Sequence, residues 1–247
     1  MTELLRVQHV SKRFGGVIAV QDVNFTMRQG EILGLMGANG AGKTTLFSMI
    51  AGNVATTSGQ IHFEGKLVPA RPDLACRLGV ARTFQIVRPF PGMTVLENCL
   101  IGTLYGSGRQ KNLQAARKTC RTLLDELGLG AQADKPAASL TLAGRKRLEI
   151  ARALSTHPKL LLLDEVLAGL NATEVNEALS LIQQLKQHYG LSIIIIEHVM
   201  KVLMRMSDRI VVMHDGHQLM EGTPAEVGND PRVIRAYLGE QKNVRAA

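Results

Sequence analysis

The sequence predicts an α/β chain built on a mainly parallel core sheet, and three observations carry that expectation. Short, wholly apolar runs recur: ILGLM after Glu31, LLLL from Leu160 to Leu163, and IIII from Ile193 to Ile196. Strands buried on both faces, as in a parallel sheet covered by helices, read this way. In the last third these runs alternate with helix-period stretches, the pattern of stacked strand and helix layers. The chain is 45% hydrophobic but only 4% aromatic, with no Trp, so its core is aliphatic.

Taken in order, Leu4 to Val10 and Val20 to Met27 mix apolar and polar residues as half-buried strands do. ILGLM is the next strand, followed by a Gly-rich turn and a helix from Lys43 to Ala51. Gln60 to Phe63 is a short strand before a turn at Glu64-Gly65. Pro69, Pro72, Pro89 and Pro91 punctuate the middle, which ends in TVLENCLIG. From Asn112 to Leu127, apolar residues at 113, 116, 120, 123, 124 and 127 repeat every 3.6 positions, opposite a basic face. Residues 85–140 therefore read as a small helical insert in a single domain spanning 1–247. Arg145 to Ser155 is helical, and Pro158 restarts the chain into LLLLDE. Thr173 to His188 is a helix, LSIIIIEH a buried strand, and Asp208 to Met213 another. Asp215-Gly216 turns the chain back through His217 to Met220 as a hairpin. GTPAEV starts a helix with Pro in its first turn.

The apolar runs fall far short of the ~20 residues a spanning helix needs, and MTELLRVQHV does not read as a secretory signal. Cys76, Cys99 and Cys120 have no CxxC spacing, which points to free thiols in a reducing compartment rather than a metal site. The formal charge is +8. Nine basic residues and two acids lie between Arg71 and Arg121, net +7. Such a segment suits nucleic acid, anionic lipid or an acidic partner, or forms a solvated helical face.

The strongest local signal is GANGAGKTT, Gly37 to Thr45, which fits G-x-x-x-x-G-K-[ST] between an apolar strand and a helix. Gly37, Asn39, Gly40, Ala41 and Gly42 form a loop that can curl its backbone N–H groups toward phosphate oxygens. The helix beginning near Lys43 adds the positive end of its dipole. Lys43 is placed to reach the outer phosphates, and the Thr44 hydroxyl, beside Thr45, to bind Mg²⁺. The chain is thus expected to bind a nucleoside triphosphate, which alone does not separate kinase, GTPase or motor.

LLLLDE puts Asp164 and Glu165 at the carboxyl end of a buried strand, where ligands bind in open α/β sheets. Asp164 is expected to hold Mg²⁺ through water. Glu165, pointing the other way, is expected to polarise water aimed at a γ-phosphate. A second buried strand ends in Glu197-His198, and His198 suits contact with the γ-phosphate because imidazole can donate to phosphate and orient water.

With these elements in order, the chain resembles the nucleotide-binding subunits of ABC transporters over nearly its full length, and most closely those of the branched-chain amino acid importer group and related urea and amide importers. The stretches that carry the resemblance are RFGGVIAV, GANGAGKTTLF, VARTFQIVRPFPGMTVLEN, RLEIARAL, LLLLDEVLAGLN, IIIIEHVMKVLMRMSDRIVVM and EGTPAEV with RVIRAYLGE. RTFQ with F-x-x-M-T-V-x-E-N, and RAYLGE, are the specific ones. The resemblance implies a P-loop NTPase fold with an antiparallel β subdomain, a RecA-like core and a helical subdomain. It implies that Phe14 stacks on adenine, that Gln85 touches Mg²⁺ and the attacking water, and that Glu165 is the catalytic base and His198 the switch histidine. It implies ATP and Mg²⁺ as cofactors, a second ATP-binding subunit of the same or a related kind, and separate transmembrane permease subunits. The chain would sit peripherally on the cytoplasmic face of the cell membrane, with no nucleic-acid partner.

Two departures stand out. Where the group has LSGGQ or LSYGQ, this chain has Leu140-Thr141-Leu142-Ala143-Gly144. Thr141 keeps the hydroxyl expected to meet the partner subunit's γ-phosphate, Ala143 replaces the key glycine, and Gly144 replaces the glutamine. An alternative register, with Ala143-Gly144-Arg145 as Gly-Gly-Gln, needs a one-residue insertion. Val166 stands where the group has Pro, which fixes φ and restricts the residue before it. Two other readings stay open: a weakly active or regulatory subunit of a transporter heterodimer, and a soluble ABC-type ATPase unconnected with transport. The altered signature beside an intact phosphate loop predicts slow hydrolysis with ATP binding preserved. Replacing Ala143→Gly and Val166→Pro together is expected to raise steady-state ATP turnover; unchanged turnover in the double variant would refute the prediction.

Overall fold

The computed structural model describes residues 2–84 and 89–236. They form two compact units, one from the N-terminus to Pro72 together with the chain from Ser192 onward, the other Asp73–Leu191.

The first unit opens with a long hairpin, β1 (Glu3–Phe14) and β2 (Val17–Arg28), turned at Gly15-Gly16. The free side of β1 pairs antiparallel with β4 (Ser58–Phe63), and β4 with the two-residue β5 (Lys66–Leu67). Leu5, Val7 and Val10 of β1 and Val20, Val23, Phe25 and Met27 of β2 are buried among exposed polar neighbours, as the mixed sequence predicted, and Leu4 at the start of β1 is buried as well. In the same unit β3 (Ile32–Gly37) is flanked in parallel by β8 (Ser192–Ile196) and β9 (Arg209–His214), and β10 (His217–Gly222) returns antiparallel along β9. Every residue of β3 and β8 is buried, which accounts for their unbroken apolar runs. The two predicted turns are real: Glu64-Gly65 (φ 49° and 74°) and Asp215-Gly216 (φ 46° and 80°) place both central residues in the left-handed region, the twist that two-residue hairpins require. Helices α1 (Lys43–Ile50), α7 (Met200–Met206) and α8 (Pro224–Asn229) belong to the same unit, and residues 231–236 are helical as well. Thr223 and Glu226 cap α8 reciprocally with Pro in its first turn, as GTPAEV predicted.

The second unit contains α2 (Pro72–Leu78), β6 (Val80–Arg82), α3 (Val95–Tyr105), α4 (Leu113–Glu126), α5 (Leu142–Leu154), β7 (Leu160–Asp164) and α6 (Ala172–Tyr189). β6 runs parallel to β7, Val80 opposite Leu160 and Arg82 opposite Leu162. The α4 stripe is buried at Ala116, Cys120, Leu123, Leu124 and Leu127, whereas Leu113, at its first position, is exposed; Asn112 caps the first turn through Gln114 N and Ala115 N. Five elements are additions to the sequence reading, among them the two-residue β5 and the seven-residue α2, which begins at one of the prolines that punctuate the middle. α3 is apolar on several sides, with Val95, Leu96, Cys99 and Leu100 all buried, so it shows no one-sided stripe; its signal is the Thr94/Glu97 capping box. β6 and α7, three and seven residues long, are too short for a period to show. Among the described residues no helix is long and apolar enough to cross a membrane. The RAYLGE stretch runs beyond the described residues after Ala236.

Asn98 of α3 fixes the approach to this helix. Fully buried, its Oδ1 accepts from the Phe90 amide at 2.8 Å, and its Nδ2 donates to the Phe90 and Thr94 carbonyls at 3.1 and 2.9 Å. Truncation would leave the part-buried Phe90 amide without its acceptor, at a cost of roughly 1–3 kcal/mol; the Phe90 and Thr94 carbonyls keep main-chain donors in the Met93 and Asn98 amides. Asn98→Ala is therefore expected to lower unfolding stability by about 1–3 kcal/mol on the same reasoning, read by urea denaturation; a change below the error of the measurement would show that these bonds carry no weight.

Candidate functional site

In the first unit, β3 delivers the chain into Gly37–Thr45 and α1 begins at Lys43. Its N-cap is Gly42, at φ 94°, with no side-chain capping hydrogen bond and no acid in the first turn. The first amides of a helix lack intrahelical acceptors, so this end is built for an anion. Gly42 has a further reason to be glycine: a Cβ there would lie 2.4 Å from the Ala19 carbonyl oxygen and 3.2 Å from Val20. Gly37 is likewise enclosed, its imagined Cβ 2.5 Å from the Met213 carbonyl. Lys43 is buried and donates to the Gly37 and Ala38 carbonyls at 2.7 and 2.8 Å, which curls the loop around its own ammonium. Ala41 is buried and the Ala41 amide closes on Ala38 O at 3.2 Å, while Asn39 and Gly40 form the exposed crest. Thr44 and Thr45 follow in the first turn.

The same hairpin that closes on Gly42 presents Phe14. Its ring is 49% exposed, with Lys12 Nζ 4.9 Å from the ring centroid: a free aromatic face suited to stacking. β8 ends beside β3, Ile196 opposite Leu35. Glu197 is buried and His198 exposed just beyond it, at the strand end adjoining the loop. The structure thus brings Phe14, the loop and His198 into one unit.

The second unit carries the carboxylates and the signature. Asp164 is buried at the end of β7. Its Oδ2 accepts from Arg82 Nη2 at 2.7 Å, while its Oδ1 is buried and makes no hydrogen bond. A buried carboxylate oxygen without a donor fits a hard cation. Among the described residues no cluster of three or more His, Cys, Asp or Glu side chains stands ready for a metal, so phosphate would have to complete the coordination. Glu165 is buried at φ 51°, an uncommon conformation for a residue with a side chain. Lys146 Nζ, itself buried, donates to the Glu165 carbonyl at 3.1 Å. Val166 is buried, lining an apolar groove with Ala143, Ile150, Leu167 and Ile182.

Thr141 is the N-cap of α5, its Oγ1 accepting from the Gly144 amide at 3.2 Å. A hydroxyl that accepts in a cap keeps its proton for another acceptor, so capping does not consume it. Ala143 is half-buried and Gly144 buried in the first turn. Arg145 holds the preceding loop through the Leu140 and Ala138 carbonyls. Asn171 caps α6 reciprocally with Glu174. Gln85 lies outside the described residues. The sequence reading missed Arg82 and Lys146; their signal, a basic residue three before Gln85 and another within the signature helix, has meaning only once the partners are seen.

An uncapped, glycine-hinged strand-to-helix turn with an enclosed lysine defines a nucleotide-binding P-loop cassette. Residues 20–168 match the family model for the ABC transporter and residues 218–243 that for the branched-chain amino acid ATP-binding cassette transporter. The chain belongs to the ABC transporter family and is an ATP-hydrolysing cassette. It is 42% identical to the high-affinity branched-chain amino acid transport ATP-binding protein LivG of Salmonella typhimurium, over 96% of this chain and 98% of that protein. It is 37% identical to BraF of Pseudomonas aeruginosa, named for the same transport, over 96% and 98%. The ADP conformation of MJ1267, an ATP-binding cassette of an ABC transporter, superposes with a TM-score of 0.86 at 30% identity, covering 97% of this chain and all of that one.

Gly42→Ala places a methyl against the Ala19 carbonyl in a left-handed backbone. Nucleotide affinity, measured with a fluorescent ATP analogue, is expected to fall at least about tenfold, as strain of roughly 1–3 kcal/mol would produce; wild-type affinity would show that the close approach is immaterial.

Proposed function

We propose that this chain powers uptake of branched-chain amino acids as the ATP-binding subunit of an importer, working with a second cassette and separate permease subunits at the cytoplasmic face of the membrane. The observation that carries the solute class is the match of residues 218–243 to the branched-chain transporter model, set beside similarity to LivG and BraF along the whole chain.

In the proposed cycle, the triphosphate of ATP lies on the first turn of α1 with Lys43 turned from its own loop carbonyls to the outer phosphates, and Phe14 stacks on the base. Thr44, Asp164 and Gln85 would hold Mg²⁺, which would supply charge neutralisation for the phosphates. Glu165 orients and deprotonates the attacking water, and His198 contacts the γ-phosphate. The signature end of α5, with Thr141, Ala143 and Gly144, closes over the triphosphate of the second cassette: the Thr141 proton and the first-turn amides face the γ-phosphate. A related cassette, MJ0796, has been solved as a dimer. Loss of the γ-phosphate removes what both halves share, and the pair opens. Ala143 and Val166 favour a slower cycle than that of a chain with the group's usual residues, which keeps open a less active partner in a mixed pair.

The test is reconstitution of the chain with its permease subunits and binding protein in liposomes. ATP-dependent leucine uptake is expected, with Glu165→Gln lowering turnover by about 10²-fold or more while ATP binding persists, the scale of a lost general base. Uptake of urea or acetamide in place of leucine would move the solute assignment, and full turnover in Glu165→Gln would remove Glu165 from its role.

A further inference from the structure

Asp164 is held by more than its strand. β6 runs beside β7, and its last residue with the one that follows grips the end of β7 twice. Thr83 N donates to the Leu162 carbonyl at 2.9 Å, and Thr83 Oγ1 accepts from the Asp164 amide at 3.2 Å. Arg82 Nη2 meets Asp164 Oδ2 at 2.7 Å, the two side chains 9% and 1% exposed. The guanidinium in turn lies over the Phe84 ring, 5.4 Å from its centroid, and that ring is 52% exposed. A bridge serving only the fold would be expected to satisfy both carboxylate oxygens, because a buried acceptor without a donor is costly. Here one oxygen is fixed and the other, Oδ1, makes no hydrogen bond.

We infer that Arg82 is a positioning residue for the cation carboxylate: it clamps Oδ2 of Asp164 so that Oδ1 is the oxygen presented to the metal, and Phe84 steadies the clamp. The inference rests on the reading of Asp164 as a cation ligand. Arg suits the task better than Lys because its planar fork is rigid and stays charged when buried, whereas a lysine ammonium is a mobile point charge. Partners that orient a metal ligand act this way in general, fixing which lone pair the ligand offers. The clamp also joins the carboxylate to Phe84, the residue immediately before Gln85.

The test uses Mn²⁺ as a spectroscopic probe on the full chain with ADP, where no hydrolysis occurs. Free Mn²⁺ is read by electron paramagnetic resonance, and ADP affinity in EDTA is measured in parallel by fluorescence. Arg82→Gln is expected to weaken Mn²⁺ binding by about 10-fold or more, the usual scale for losing a ligand-orienting partner, with metal-free ADP affinity unchanged. Arg82→Lys is expected to recover part of the loss, and Phe84→Ala to show a smaller loss in the same direction. Should Arg82→Gln fail to fold, Arg82→Lys and Phe84→Ala carry the comparison. Asp164→Asn separates the two readings. If it loses Mn²⁺ and the Arg82 variants do not, the clamp is refuted and Asp164 keeps its role; if it binds Mn²⁺ normally, the cation reading of Asp164 falls and the clamp with it. An equal fall of metal-free and Mn²⁺-supported ADP binding in Arg82→Gln would mean general structural damage and would also refute the clamp.

Discussion

The first turn of α1 has amides and no side chain to satisfy them, and much of the molecule is arranged around that deficit. Gly42 can hold its left-handed conformation against the Ala19 carbonyl only because it lacks a Cβ. The β1–β2 hairpin is therefore part of the phosphate site: its strand backs the loop and its tip offers the Phe14 ring. β3 brings the chain to this point, and its parallel neighbours β8 and β9 fix where it ends, Gly37 opposite Met213 and Leu35 opposite Ile196. A helix start left uncapped is destabilising until an anion completes it, so the feature makes sense in a protein that binds phosphate.

The second unit meets a different demand, keeping a charge where four leucines lead. A carboxylate at the end of a buried strand needs compensation, and Arg82 supplies it from the neighbouring strand. The result is a side chain with one oxygen committed and one held in reserve. Glu165, the next residue, gains its direction from a backbone turned into the left-handed region and tethered through its carbonyl to Lys146. Neighbouring acids thus acquire different surroundings from local geometry alone, which is what separate roles in metal holding and proton transfer require.

Much of this was legible in the residues because burial leaves its mark on them. Strands enclosed on both faces show as unbroken Leu and Ile runs, the two-residue turns as Glu-Gly and Asp-Gly, and α4 as an apolar stripe from which only Leu113 departs; the phosphate loop announced itself by spacing. α3 escaped because neighbours on several sides erase its stripe, and β6 and α7 because they are too short. Arg82 and Lys146 escaped for another reason. Their partners lie 82 and 19 positions away, and in the sequence each is one more cation in a basic chain. The meaning of Thr141 was half visible: its hydroxyl was evident, but not that the hydroxyl accepts within a cap while its proton stays available.

Lys146 lies on α5, five residues past the Thr141 cap, and reaches the Glu165 carbonyl from there. Helices are stiff along their axes, so a pull or twist at the capped end of α5 travels to that ammonium with little loss. The backbone it holds is in an uncommon conformation, which persists only where its surroundings impose it, and Lys146 is one of those surroundings. The outer tip of α5 and the residue proposed to activate water are thereby attached to one helix, as a trigger and a firing pin share a single rigid bar.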